Sequence, residues 1–110
     1  MSKVIQLEEL FAEIEARRGA APDESYSAQL LADLPRAARK LGEEASEAMV
    51  AALSQSDEAL VGEAADVMYH LLVVVAARGL TLDAVMDELA RRAGQSGLAE
   101  KAGRDTGPSS

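Results

Sequence analysis

Apolar positions recur at helical spacing along most of the chain and divide it into five segments. Leu7, Leu10, Phe11 and Ile14 predict a first helix over about Gln6–Arg18, which Gly19 ends, and Ala20 to Glu24, with Pro22, reads as a loop. Ser25 suits the N-cap of a short second helix carrying Tyr26, Leu30 and Leu31. Pro35 fits the first turn of a third helix that runs to about Leu53, and Ser54 to Asp57 form a turn. A fourth helix spans roughly Glu58–Arg78 and closes at Gly79. Thr81 caps a fifth through about Arg92, with Asp83 near its positive end. From Gly94 onward Gly, Ser, Lys and Pro predominate, so the pattern predicts a domain over residues 1–93 and a mobile tail over residues 94–110.

Composition narrows the class. A chain of 110 residues is one domain at most, and it is rich in Ala, Leu, Val and Glu, with Phe11, Tyr26 and Tyr69 as its only aromatics. That balance predicts an all-α fold. The fourth helix is apolar around nearly its whole circumference, so most of it is expected to be buried. Small core side chains and so much apolar surface predict a helical bundle completed by homodimerisation.

The absence of cysteine excludes disulfides, thiolate zinc sites and cysteine nucleophiles. MSKVIQLEEL shows no signal pattern, and the apolar run from Val67 to Ala77 is interrupted by His70 and is too short to span a bilayer. A cytoplasmic protein with no membrane partner is expected. The net charge of −8 argues against nucleic acid as a partner, and it means that any anionic substrate needs positive charge supplied locally.

The acids are not scattered. In KLGEEASE, the side chains of Lys40, Glu43, Glu44 and Glu47 fall within a stripe roughly 100° wide on the third helix. Leu41, Ala45, Ala48 and Ala52 form the adjoining, core-like face. Inside the apolar fourth helix, Glu63 and Asp66 stand one turn apart, with His70 a further turn along and no Lys or Arg between Ala59 and Ala77. Buried carboxylates without partners are costly and normally neutralise, pair or bind a metal. Bringing Glu63 and Asp66 against Glu44 and Glu47 would gather four carboxylates, which requires cations. An oxygen-only donor set favours Mg²⁺, with Mn²⁺ as an alternative, and such ions share phosphate oxygens with a substrate. For Glu43, Glu44 and Glu47 alone, a solvated helix face explains the pattern as well. His70 reads as a hydrogen-bonded core residue, Lys40 as either a surface charge or a phosphate contact, and Arg91 and Arg92 as complements of a helix dipole.

The order Glu-Glu-x-x-Glu then Glu-x-x-Asp, as GEEASE and GEAAD, resembles the signature of the all-α MazG-type nucleotide pyrophosphohydrolases. SYSAQLL, KLGEEASEAMVAA, EAADVMYHLLVVVAARGLTLDAVMDELARR and the tail segment SGLAEKAGR are together similar to the phosphoribosyl-ATP pyrophosphohydrolase branch. Ser27 stands where that branch usually has Thr, which keeps the hydroxyl. The resemblance implies Mg²⁺-dependent hydrolysis of phosphoribosyl-ATP to phosphoribosyl-AMP and pyrophosphate, a step of histidine biosynthesis. It implies Glu44, Glu47, Glu63 and Asp66 as metal ligands, Glu43 as a residue that orients ligands or activates water, and Lys40 as a lysine near phosphate. The basic stretch Arg36–Arg39 has no role in this scheme. Two competing readings remain: a MazG-type enzyme acting on other nucleoside triphosphates, and a non-catalytic helical dimerisation module. A di-iron carboxylate bundle needs Glu-x-x-His on two helices, and this chain has one histidine.

Overall fold

The computed structural model describes residues 3–93, and the mobile tail expected over residues 94–110 lies outside them. Five helices follow in order: α1 (Val4–Ala16), α2 (Tyr26–Leu31), α3 (Leu34–Ser54), α4 (Asp57–Ala77) and α5 (Leu82–Arg92). The all-α expectation holds, and each boundary falls within about two residues of its expected place. Local chemistry explains why. Ser25, Asp33, Ser56 and Thr81 each accept the main-chain N–H three residues on, at the starts of α2 to α5. Asp57 and Glu58 in the first turn of α4, Asp83 in that of α5, and Arg91 and Arg92 in the last turn of α5 all complement the helix dipoles.

Gly79 ends α4 with φ 75°, a left-handed conformation that a side chain would strain. Its N–H donates to the Ala76 carbonyl while Leu80 N–H donates to that of Val75, the Schellman pattern that satisfies the last carbonyls of a helix. Arg18 adds a guanidinium bond to the Ala76 carbonyl and so ties the end of α1 to the end of α4.

The antiparallel pair α3–α4 forms the longest interface, and α1 and α2 pack on one end of it. There Phe11, Ile14, Leu30, Ala37, Leu72, Val73, Val75, Ala76 and Leu82 form the core, with Val85 and Met86 of α5 packed against it. The covered seam of α3 runs through Ala37, Leu41, Glu44, Ala48 and Ala51, whereas Ala45 and Ala52, expected in the core, are exposed. On α4 only His70, Leu72, Val73, Val75 and Ala76 are buried, and Leu71, between them, is 43% exposed. Toward its start, a single seam of Leu60, Glu63 and Val67 is partly covered, while Val61 is 69% exposed. The expectation that most of α4 is buried is therefore corrected. Within one chain, α1, α2 and α5 cover only the second half of the helix, and the tip of the hairpin carries Met49, Val50, Leu53 and Val61 in the open.

Glu88 on α5 accepts from Arg91 Nε at 2.7 Å and from Arg92 Nε at 2.9 Å, which holds its carboxyl down at about 2. A depressed carboxyl stabilises the fold above its ordinary value of 4.5, and that contribution is lost as pH falls toward 2. Glu88→Gln should lower the Tm slightly at neutral pH, and thermal melts across a pH series should show the gap from wild type closing between about pH 5 and pH 2.

Candidate metal centre

Because α3 and α4 run antiparallel, acids at i,i+3 on each can meet across the seam. Glu44, Glu63 and Asp66 do so, each offering one carboxylate oxygen within 4.8 Å of the others. Glu47 joins them from the edge of α3, where it lines a common cleft with Glu63 and its charge acts on both Glu44 and Glu63. All four acids expected as ligands are thus brought together. Glu43 is not: it lies exposed on α3, about 100° around the helix from Glu44.

The electrostatics are those of a centre awaiting positive charge. Partial burial pushes the Glu44 carboxyl above its usual 4.5, the charges of Glu47 and Asp66 push it further, and His70 draws it back. Burial likewise raises Glu63, followed by the charges of Glu47, Glu44 and Asp66. Glu63 Oε2 is buried with no hydrogen-bond partner among the described residues. Lys40 is the nearest balancing cation, its Nζ 3.9 Å from Glu44 Oε1, and one ammonium cannot neutralise four carboxylates. An oxygen-only set with an orphaned buried oxygen fits a hard divalent ion.

A polar and aromatic brace stands beside the acids. His70 is 6% exposed, and its Nδ1 lies 2.7 Å from the main-chain carbonyl oxygen of Asp66. A carbonyl only accepts, so Nδ1 carries the proton. In the neutral ring Nε2 then accepts from the Tyr26 hydroxyl, 3.1 Å away. Ser27 Oγ and the Tyr69 hydroxyl share a second, short bond, and both tyrosine rings contact the imidazole edge-on. The core reading of His70 holds, with the addition that it braces the turn carrying Asp66. The Ser27–Tyr69 bond joins positions 42 residues apart, and no local spacing announces it. On the other side of the acids a cleft of about 410 Å³ is lined by Ser46, Glu47, Val50, Gln55 and Glu63. Ser46, Val50 and Gln55 belong to no motif that singles them out.

Comparison with known proteins gives a consistent result. Residues 5–93 match the profile of the family described as phosphoribosyl-ATP pyrophosphohydrolase. A phosphoribosyl-ATP pyrophosphatase of Caulobacter sp. (strain K31) is 56% identical over 105 residues, which cover 94% of this chain and 98% of the relative. The proteins of the same name from Erythrobacter litoralis and Cereibacter sphaeroides are 59% and 58% identical over 99 residues, covering 89% of this chain and 95% and 96% of their own lengths.

Carboxyls raised in the folded state stabilise it most below the ordinary carboxylate value, and this contribution is lost as pH rises through the raised values. With metal chelated, the chain should therefore lose stability as pH rises above 4.5. Glu63→Gln should raise the metal-free Tm at pH 7–8 by several degrees, yet abolish most of the rise that Mn²⁺ gives wild type. Melting curves with and without Mn²⁺ check this, and a metal-free Tm lowered by the substitution would contradict it.

Proposed function

The chain belongs to the phosphoribosyl-ATP pyrophosphohydrolase family, and we infer from that membership that it hydrolyses phosphoribosyl-ATP to phosphoribosyl-AMP and pyrophosphate, a step of histidine biosynthesis. The observation that carries this reading is identity of 56–59% across nearly the whole length of relatives bearing that name. The convergence of the acids from both helices supports it, because a non-catalytic module has no need to gather like charges.

We further propose that the enzyme depends on Mg²⁺, for which Mn²⁺ can substitute, held by Glu44, Glu47, Glu63 and Asp66. When bound, such an ion neutralises phosphate charge and lowers the pKa of water. The chain's own groups do the remaining work. The paired acids on α3 and α4 fix where the polyphosphate sits, and His70 keeps the Asp66 turn in place. Lys40, beside Glu44, contributes a point charge to phosphate oxygens. Glu43, exposed on α3 one residue before Glu44 and outside the converged acids, is proposed to take the proton of the water that attacks the α–β phosphoanhydride, leaving phosphoribosyl-AMP and pyrophosphate as products.

The same reading makes the protein a cytoplasmic homodimer with a small-molecule nucleotide as substrate and with neither membrane nor nucleic acid as partner. Helix α4 has the length and hydropathy to cross a bilayer. However, its acids face α3 and its second half lies in the core, which favours a packed role. Support for the dimer comes from the hairpin tip, where Leu53 is 83% exposed and Met49 59%. Contiguous apolar surface of this kind marks an interface.

Pyrophosphate release from phosphoribosyl-ATP should require Mg²⁺ and should exceed release from ATP and other nucleoside triphosphates. Glu63→Gln should lower it at least about 100-fold, beyond the usual effect of a residue that only orients a ligand. Glu43→Gln should lower kcat about 100-fold or more while keeping the Mn²⁺-dependent rise in Tm. Turnover of ordinary triphosphates alone would move the activity elsewhere in the MazG-type superfamily, and no turnover at all would leave a binding module. In sedimentation, the wild type should run as a dimer at micromolar concentration and Leu53→Glu should shift it toward monomer; a wild-type monomer would overturn the dimer.

A further inference from the structure

A chain of net charge −8 opens the helix that carries its acidic cluster with three cations, Arg36, Arg39 and Lys40. Arg36 sits in the first turn of α3, which contains no acid. A cation there opposes the helix dipole. Asp33 offsets this only in part, since its side chain accepts from the Arg36 main-chain N–H at 3.1 Å. The guanidinium itself is partly covered and donates from Nη1 to Gln29 Oε1, a neutral acceptor, at 3.3 Å. Among the described residues no carboxylate lies within ion-pair distance of it. By contrast, Arg92 is paired with Glu88, and Arg18 caps a helix end. A half-buried, pre-positioned charge without a counter-charge breaks local preference, and such departures concentrate where function requires them.

Its placement gives the departure a meaning. On α3, Arg36, Lys40 and Glu47 fall within about 40° of one another, and Arg36 lies about 12 Å along the axis from Glu44. Helix α2 runs alongside: it carries Tyr26, bonded to His70 beside the acids, and one turn on Gln29, bonded to Arg36. One face thus leads from the carboxylates to a fixed guanidinium.

The substrate inferred above is charged at both ends. Its triphosphate is the end that is cut, and a second phosphate sits on the phosphoribosyl group attached to the far side of the base. A planar guanidinium matches a phosphate with two parallel hydrogen bonds. We propose that Arg36, presented by Gln29, binds the 5′-phosphate of the phosphoribosyl group and thereby distinguishes phosphoribosyl-ATP from ATP. This assignment rests on the proposed function and deepens it.

The test compares wild type with Arg36→Gln and Arg36→Lys. Arg36→Gln should raise KM for phosphoribosyl-ATP about 10- to 100-fold, the weight of a charge-assisted hydrogen bond, with kcat changed by less than about threefold. Inhibition by phosphoribosyl-AMP should weaken in parallel, whereas inhibition by pyrophosphate, which lacks that phosphate, and the Mn²⁺-dependent Tm rise should be unchanged. Arg36→Lys should recover part of the loss. Equal weakening of both inhibitors, or a lost Mn²⁺ response, would show that Arg36 only ties α2 to α3 and would overturn the assignment, as would an unchanged KM. A wild type that does not turn over phosphoribosyl-ATP would instead overturn the function on which the assignment rests.

Discussion

Glu44 and Glu63 occupy seam positions of an antiparallel helical hairpin, where two packed helices ordinarily mesh apolar side chains. The seam of α3 reads Ala37, Leu41, Glu44, Ala48, Ala51, and that of α4 reads Leu60, Glu63, Val67, His70. Carboxylates at this depth lose hydration, and Glu47 and Asp66 at the margins add like charge to the same place. The consequence is a polar, like-charged break in an otherwise apolar interface. The orphaned oxygen of Glu63 is the local sign of it. The position of the acidic cluster, and the cost of leaving it without positive charge, follow from placing acids where leucines would normally pack.

That break also divides the hairpin into two unlike halves. On one side α1, α2 and α5 bury the second half of α4, and the His70 brace closes the core against the acids. On the other side α3 and α4 continue as a bare pair, with Met49, Val50, Leu53 and Val61 exposed. The core therefore cannot extend past the carboxylates within one chain. The cleft lined by Ser46, Val50 and Gln55 opens at this bare end, next to the exposed apolar tip on which the proposed dimer rests.

Much of this was legible from the chain alone, because the signals concerned are local. Capping residues and Gly79 set the helix ends, and the i,i+3 spacing of Glu63 and Asp66 in an apolar helix pointed to the acidic cluster. The misreadings have a common cause. Apolar periodicity does not say whether a surface is covered within the chain, so the exposed apolar first half of α4 reads as core. The stripe from Lys40 to Glu47 was also too coarse to separate neighbours. Glu43 and Glu44 differ by one residue, yet only Glu44 lies on the covered seam. Contacts between distant segments, such as Ser27 with Tyr69 and Gln29 with Arg36, depend on how α2 lies against the hairpin. No sequence spacing carries that information.

An arrangement this unfavourable persists because the elements bearing it are stabilised elsewhere. Each of the four side-chain caps contributes roughly 1 kcal/mol, and the Schellman closure at Gly79 and the Arg18 bond secure the end of α4 far from the acids. Flexible loops carrying the same carboxylates would simply move apart and relieve the repulsion. Regular helices cannot, since turning Glu44 or Glu63 away would also turn Leu41 and Ala48, or Leu60 and Val67, out of the seam. The apolar packing on either side of the site thus holds the charges together against their mutual repulsion.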